Sequence, residues 1–282
     1  MRRIWTLAAS VAAAFTLMGM SGVASAVEYP LTGLPELGRC KNVGSGGGYT
    51  SNGCIKVAAT HNGRFEWFPG PGEKPKFEAS VIQEANLETV GKQKVHCGPS
   101  EIIGTWLDGK KASVELFFHG CTEVANKTAC TTPEVGPQKE TEIKTLEPLE
   151  GEIGFISGKG GEKPKVGIDL KSSSSNPMLT FTCGPPPGEI PPTKPTVAWT
   201  VEGSVIGQLK PIDAMKTEGK AIFVAVNGKQ VPEKFEEGVK DVPIAKYGTP
   251  LPSTTEEAGL TLREEHKSII TENEEALELK AK

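Results

Sequence analysis

Residues 197–209 read VAWTVEGSVIGQL. β-branched and aromatic side chains recur there partly with a period of two, the pattern of a half-buried strand rather than of a helix. Similar bursts follow along the chain: NLETV at 86–90, SVELFF at 113–118, GEIGFI at 151–156, KVGIDL at 165–170 and AIFVAV at 221–226. Turn clusters separate them at Asn62-Gly63, Pro69–Gly72, Asp108-Gly109, Gly158–Gly161, Ser172–Pro177 and Asn227-Gly228. Short strands punctuated in this way predict an all-β barrel or sandwich of short antiparallel strands. Helical periodicity is nearly absent. The tail, NEEALELKAK at 273–282, has a composition that suits a helix. The rest of the chain favours a turn at Asn273-Glu274 and then a strand over Ala276–Lys280.

The first 26 residues have the three parts of a secretory signal peptide. Arg2 and Arg3 start it, Ile4–Met20 is an uncharged and mostly apolar run, and Ala24-Ser25-Ala26 is a small-x-small cleavage site. No cysteine follows the run, so a lipid anchor has no support, and no second long apolar run occurs. Cleavage leaves Val27–Lys282 as one β-rich domain, expected to be free of the membrane and either extracellular or associated with a bacterial cell envelope. Losing two arginines takes the formal charge from −4 to −6. Charge alone therefore draws the protein to neither nucleic acid nor anionic lipid.

All six cysteines follow the leader. An even number in an exported chain predicts disulfides. Closing the shortest loops gives Cys40–Cys54 and Cys121–Cys130, which leaves Cys97–Cys183. Zinc needs a CxxC-type spacing that the chain lacks.

The pentapeptide GEKPK occurs at Gly72–Lys76 and again at Gly161–Lys165. After each come a strand, a turn, a strand and a Cys-Gly-Pro, at Cys97–Pro99 and Cys183–Pro185. KASVELFFHG at 111–120 then resembles KAIFVAVNG at 220–228. The parallel predicts a duplicated unit over 72–120 and 161–228, each half burying the apolar face of the other, with Cys97 and Cys183 at equivalent places. GEKPK itself reads as a turn that launches a strand: glycine permits the turn, and proline biases the preceding lysine toward an extended conformation. The proline-rich run CGPPPGEIPPTKP at 183–195 cannot be a central strand. It is either a linker or a surface loop, and a Cys97–Cys183 bond favours the loop.

Few residues suggest chemistry. The four histidines form neither HExxH nor an HxH pair, although His96 and His119 lie at strand ends that could converge. No GxSxG elbow occurs. Gly44–Gly48 is glycine-rich but lacks the GK[ST] of a phosphate cradle and reads as the tip of the Cys40–Cys54 loop. Asn126-Lys127-Thr128 has the N-glycosylation pattern, discounted for a bacterial signal peptide. With four aspartates (Asp108, Asp169, Asp213 and Asp241) against 31 glutamates, no Asp-rich calcium loop can be built. A glycosidase needs only two facing carboxylates, and the sequence selects no pair. The strongest aromatic cluster is FEWF at 65–68. Phe65, Trp67 and Phe68, with Tyr49 upstream, could stack on sugar rings or a partner, or could simply pack a core.

The order of short motifs resembles that of a group of exported bacterial proteins of unknown function. The shared features are an LPExGRC opening, a second cysteine soon after, a Phe-Glu-Trp strand, a Leu-Glu-Thr-Val strand and a Leu-x-Gly-Glu-x-Gly turn. Here these are Leu34–Cys40, Cys54, Phe65–Trp67, Leu87–Val90 and Leu149–Gly154. The resemblance implies export and supplies no catalytic residues. The expected function is a non-catalytic extracellular or envelope module that needs no cofactor or metal and meets envelope polysaccharide or another surface protein. The alternative is an extracellular glycan hydrolase working through a glutamate pair.

Overall fold

Where the sequence alternates, the chain is strand. The computed structural model describes residues 33–133, 141–185, 194–263 and 269–282. The expected leader at 1–26 and residues 186–193 of the proline-rich run lie outside them. The described residues form twenty-one strands and no helix. In chain order these are β1 (Glu36–Gly47), β2 (Gly63–Pro69), β3 (Lys76–Ile82), β4 (Glu84–Thr89), β5 (Lys94–Cys97), β6 (Ser100–Trp106) and β7 (Lys111–His119). Then come β8 (Thr122–Glu123), β9 (Thr128–Thr131), β10 (Glu142–Lys144), β11 (Leu149–Ser157), β12 (Lys165–Ser172), β13 (Leu179–Gly184) and β14 (Val197–Glu202). The last are β15 (Ser204–Lys210), β16 (Lys216–Ile222), β17 (Val224–Val226), β18 (Lys229–Val231), β19 (Ile244–Gly248), β20 (Thr254–Arg263) and β21 (Ile269–Lys280). The tail is thus strand, as its surroundings suggested. It has no turn at Asn273-Glu274, because β16, β3 and β1 between them supply ladder partners along β21.

Two closed barrels of eight antiparallel strands result. One runs β3-β6-β7-β11-β12-β15-β16-β21 and closes by β21 pairing with β3. The other runs β4-β5-β8-β9-β13-β14-β19-β20 and closes by β20 pairing with β4. Closure removes the sheet edges on which other chains could pair. The chain passes repeatedly between the barrels, as from β3 to β4 across Gln83 and from β14 to β15 across Gly203. Gly203 has φ +86°, and a Cβ there would lie 2.4 Å from the Val242 carbonyl oxygen, so this crossing requires glycine. VAWTVEGSVIGQL is therefore two strands in two barrels. One cluster of buried apolar side chains fills both, from Val114, Ile153 and Leu170 in the first to Leu87, Phe181 and Trp199 in the second.

The two GEKPK copies stand at matching points. Each ends on the first residue of a strand, β3 or β12. From there, both halves place one strand in the first barrel, two in the second, two in the first, two in the second and one in the first. β3, β6, β7 and β11 correspond to β12, β15, β16 and β21, and β4, β5, β8 and β9 correspond to β13, β14, β19 and β20. The cysteines do not follow this correspondence. Cys97 ends β5, the third strand of its half, whereas Cys183 is on β13, the second strand of the other, so the two Cys-Gly-Pro triplets are not equivalent.

Cys40–Cys54 forms, but the other two expected pairs do not: the bonds are Cys97–Cys121 and Cys130–Cys183. Strand pairing overrides loop length here. Cys130 faces Cys183 directly across β9 and β13. Cys121 and Cys130 are backbone neighbours, with the Cys130 N–H donating to the Cys121 carbonyl at 2.9 Å, yet their sulfurs bond to different partners, Cys97 and Cys183. The short β8–β9 hairpin is thereby stapled to a strand on each flank, where two- and four-residue strands offer few ladder bonds of their own.

Burial shows which outer faces are covered. β7 alternates, with Ala112, Val114, Leu116 and Phe118 inward and the residues between them exposed or half-buried. β12 is buried on both faces from Val166 to Leu170. The segment Phe235–Val242 lies against that side: a Cβ on Gly154 would meet Phe235 and Glu236, and the Glu236 N–H donates to the Phe155 carbonyl at 2.8 Å. Beyond β21 the first sheet continues into β1 and β2, which belong to neither barrel. The outer edge of β2 is blunted: the N–H and C=O of Phe65 pair with Tyr49, the Glu66 carboxylate accepts from the Trp67 amide, and Pro69 has no N–H to offer.

Candidate functional site

The site grows from a period-two pattern in the LPELGRC opening. Glu36, Gly38 and Cys40 share one face of β1, and their cross-strand neighbours are Lys280 and Glu278 on β21 and Trp67 on β2. Trp67 starts opposite Cys40, and its ring reclines along β1. A Cβ on Gly38 would lie 2.5 Å from Trp67 Cζ2 and 2.5 Å from the Phe68 carbonyl oxygen, so only glycine leaves room for the indole. At the far end Trp67 Nε1 donates to Glu36 Oε2 at 2.8 Å. An indole N–H buried without an acceptor would be costly, and the carboxylate satisfies it.

The connection from β1 to β2 folds over this face. Cys54 bonds to Cys40, and Ser51 Oγ accepts from the amides of Ile55 and Lys56. Tyr49 is bridged to both Val57 and Phe65. Lys280 rises from β21 into the space beneath. Its Nζ sits 4.3 Å from the Tyr49 ring centroid and 4.9 Å from that of Trp67, and it donates to the Cys54 carbonyl at 2.8 Å and the Tyr49 hydroxyl at 3.3 Å. Desolvated cation–π contacts of this kind contribute about 2 kcal/mol. Beside the ammonium opens a cleft of about 390 Å³, lined by Glu36, Tyr49, Cys54, Trp67, Lys280 and Lys282 and rimmed by Leu34, Ile55 and Val57. Ile55 and Val57 are 66% and 76% exposed.

Glu278, next to Lys280 on the same face, is fully buried, and neither carboxylate oxygen has a hydrogen-bond partner among the described residues. Burial pushes its carboxyl up to about 7; Lys280 opposes that rise and Asp213 adds to it. A second buried acid, Asp169 on β12, lies on the face against which Phe235–Val242 packs. Burial raises it to about 6, Asp241 and Glu152 add to the rise, and Ser204 and Lys171 oppose it.

Of the four aromatic residues expected to stack on a ligand, Tyr49 and Trp67 reach the cleft. Phe65 packs behind them, against the Cys40, Cys54 and Trp67 cluster. Phe68 points to the opposite face, with Lys41 Nζ 5.8 Å from its ring centroid. Trp67 is only 7% exposed, so the cluster forms a cleft wall and not an open platform for a sugar ring. Sequence reasoning missed Glu36, Gly38, Glu278 and Lys280. The E-x-G-x-C alternation at 36–40 was the available signal, since a glycine amid inward residues marks where a neighbour lies flat on the backbone.

The ends of β5 and β7 do meet, through the Gly98 N–H to His119 carbonyl bond and the Cys97–Cys121 disulfide. Each histidine is engaged separately: His96 Nδ1 with Asn86 Oδ1 at 3.1 Å, and His119 Nδ1 with Glu142 at 3.2 Å. Among the described residues no group of three or more His, Cys, Asp or Glu is placed to hold a metal ion. The cleft has one carboxylate in its lining, Glu36. The two smaller cavities, at the first barrel's end and within the second barrel, have one and none. No helix among the described residues is long and apolar enough to cross a membrane. No family model, no curated protein and no solved structure matches the chain.

Proposed function

We propose that this chain is an exported, non-catalytic binding module of the bacterial envelope or extracellular space, and that its ligand enters the cleft beneath the β1–β2 hairpin. The observation that carries this reading is Lys280. A lysine that is 9% exposed, fixed by two aromatic rings and two oxygens, forms the floor of an open cleft of about 390 Å³. Buried cations are expensive and are seldom kept without a role. The leader at 1–26, the three disulfides and the resemblance to exported proteins support the compartment. The hydrolase reading lacks such support: among the described residues, the lining of these three cavities does not bring together the two carboxylates it needs.

The test is to titrate a mixed set of small fragments (acids, amines, sugars and short peptides) into the ¹⁵N-labelled oxidised protein and map amide shifts. Shifts clustered at Tyr49, Ile55, Val57 and Lys282 are expected. A set that moves no amide around the cleft, or only amides elsewhere, would remove the reading.

A further inference from the structure

The cleft lining is unbalanced in charge. Among the described residues Lys280 Nζ donates to two neutral oxygens, and no described carboxylate approaches it within 4 Å. Lys282 adds a second ammonium to the same lining. The one side-chain carboxylate among the described lining residues, Glu36, accepts the indole N–H of Trp67. An anion arriving beside Lys280 gains a charge-assisted hydrogen bond in a partly desolvated setting, where such bonds are about twice as strong as neutral ones. The rest of the lining is apolar: Leu34, Ile55, Val57, the Trp67 ring and the disulfide at Cys54. Leu34, Ile55 and Val57 are exposed, and a ligand tail would cover them. The volume of about 390 Å³ lies at the small-ligand end of the usual range of roughly 300–1,000 Å³.

We infer that the cleft takes a small amphipathic carboxylate, its head on Lys280 and Lys282 and its apolar tail between Leu34, Ile55 and Val57. This rests on the binding-module reading and narrows it to one ligand chemistry. Such a group ends a short fatty acid and also an apolar peptide, so the experiment includes both.

Isothermal titration of the oxidised protein with octanoate, octylamine, octanol and N-acetyl-Leu-Leu separates head from tail. Both carboxylates are expected to bind, and the tighter of them identifies the source. Octanoate should bind at least about tenfold more tightly than octylamine or octanol, a difference that one good charge-assisted contact supplies. Lys280→Met should abolish carboxylate binding. Because Lys280 also secures the loop, Lys282→Glu at the exposed end of the lining carries the test if that variant does not fold, and it should weaken octanoate several-fold. Octylamine or octanol binding as tightly as octanoate would overturn the inference, and so would unchanged octanoate affinity in the lysine variants. If neither carboxylate binds while other fragments shift the cleft amides, the ligand class falls and the binding module stands.

Discussion

The first barrel has two covered outer faces, and they are covered differently. On one, Asp169 lies on the side taken by Phe235–Val242, and it is outside the lining of the three cavities described above. On the other, Glu278 and Lys280 lie beneath β1, β2 and the loop stapled by Cys40–Cys54, and a cleft of about 390 Å³ remains. The underlying strands correspond in part: β11 and β21 hold matching positions in the two halves, but Asp169 stands on β12, whose counterpart is β3. Each face buries an acid with a raised pKa, to about 6 and about 7. What differs is the cover. Sixteen strands run in one order in the two halves and close the two barrels, whereas the β1–β2 hairpin has no counterpart and carries the candidate site. Scaffold and site are thus separable in this molecule.

The largest effect should come from removing the staple of the open face. Replacing Cys40 and Cys54 together by serine opens a loop closed over a sequence separation of 14 and should cost about 3 kcal/mol. For a chain of this size that lowers Tm by roughly 6–12 °C in calorimetry. The Tyr49, Thr50 and Ala58 amides, bonded to Phe65, Lys56 and Gly48, should also lose their hydrogen-exchange protection, while those of Phe155 and Glu236 keep theirs. Equal loosening of both faces would break the comparison.

Glycine substitutions should separate the faces next. Gly38→Ala drives a Cβ into Trp67 and into backbone at Phe68, and about 2–3 kcal/mol is expected for overpacking of that kind. Gly154→Ala meets side-chain atoms alone, of Phe235 and Glu236, on a half-exposed loop that can shift outward although Glu236 is bonded to Phe155, so a smaller cost of about 1 kcal/mol is expected. Urea midpoints for the two variants, compared at equal m, give the ranking, and a reversed order contradicts it.

The buried acids should respond alike, each in its own pH window. A carboxyl whose pKa is higher folded than unfolded contributes stability fully below the unfolded value and loses it as pH rises through the folded value. Loss should therefore run from the ordinary carboxylate range up to about pH 6 for Asp169 and about pH 7 for Glu278, and level off above. Asp169→Asn and Glu278→Gln should each gain roughly 2 kcal/mol over the parent at pH 8, and that gain should vanish near pH 4. A Glu278→Gln variant with no pH-dependent gain would mean that the open face is wet down to β21. The smallest effect belongs to Tyr49→Phe, which keeps the ring over Lys280 and removes one hydroxyl acceptor. About 1 kcal/mol is expected from thermal denaturation.

Much of the fold was legible in the sequence because strands declare themselves by alternation, and turns by Gly, Pro and Asn. NLETV, SVELFF and KVGIDL all became strands, and GEKPK marked the start of each half. Pairing was less legible. Cys130 meets Cys183 through barrel closure, a contact that no loop-length argument contains. Only part of the site could be read. Tyr49 and Trp67 were visible as aromatics, but Lys280 lies more than 200 residues from both, and β-sheet register alone brings it to Glu36. Whether Trp67 stacks on a ligand or packs a core stayed open, because a sequence shows a ring's presence and not what lies against it.

The central claim is that ligand binding belongs to the open face and not to the sealed one. Its most direct test is octanoate titration of two exposed-site variants, Val57→Asp on the cleft rim and Val239→Asp on the opposite cover, where the side chains are 76% and 86% exposed. Neither change should disturb folding. The account predicts that Val57→Asp weakens octanoate by at least about tenfold while Val239→Asp leaves it unchanged. Equal affinities in the two variants, or a loss confined to Val239→Asp, would contradict it.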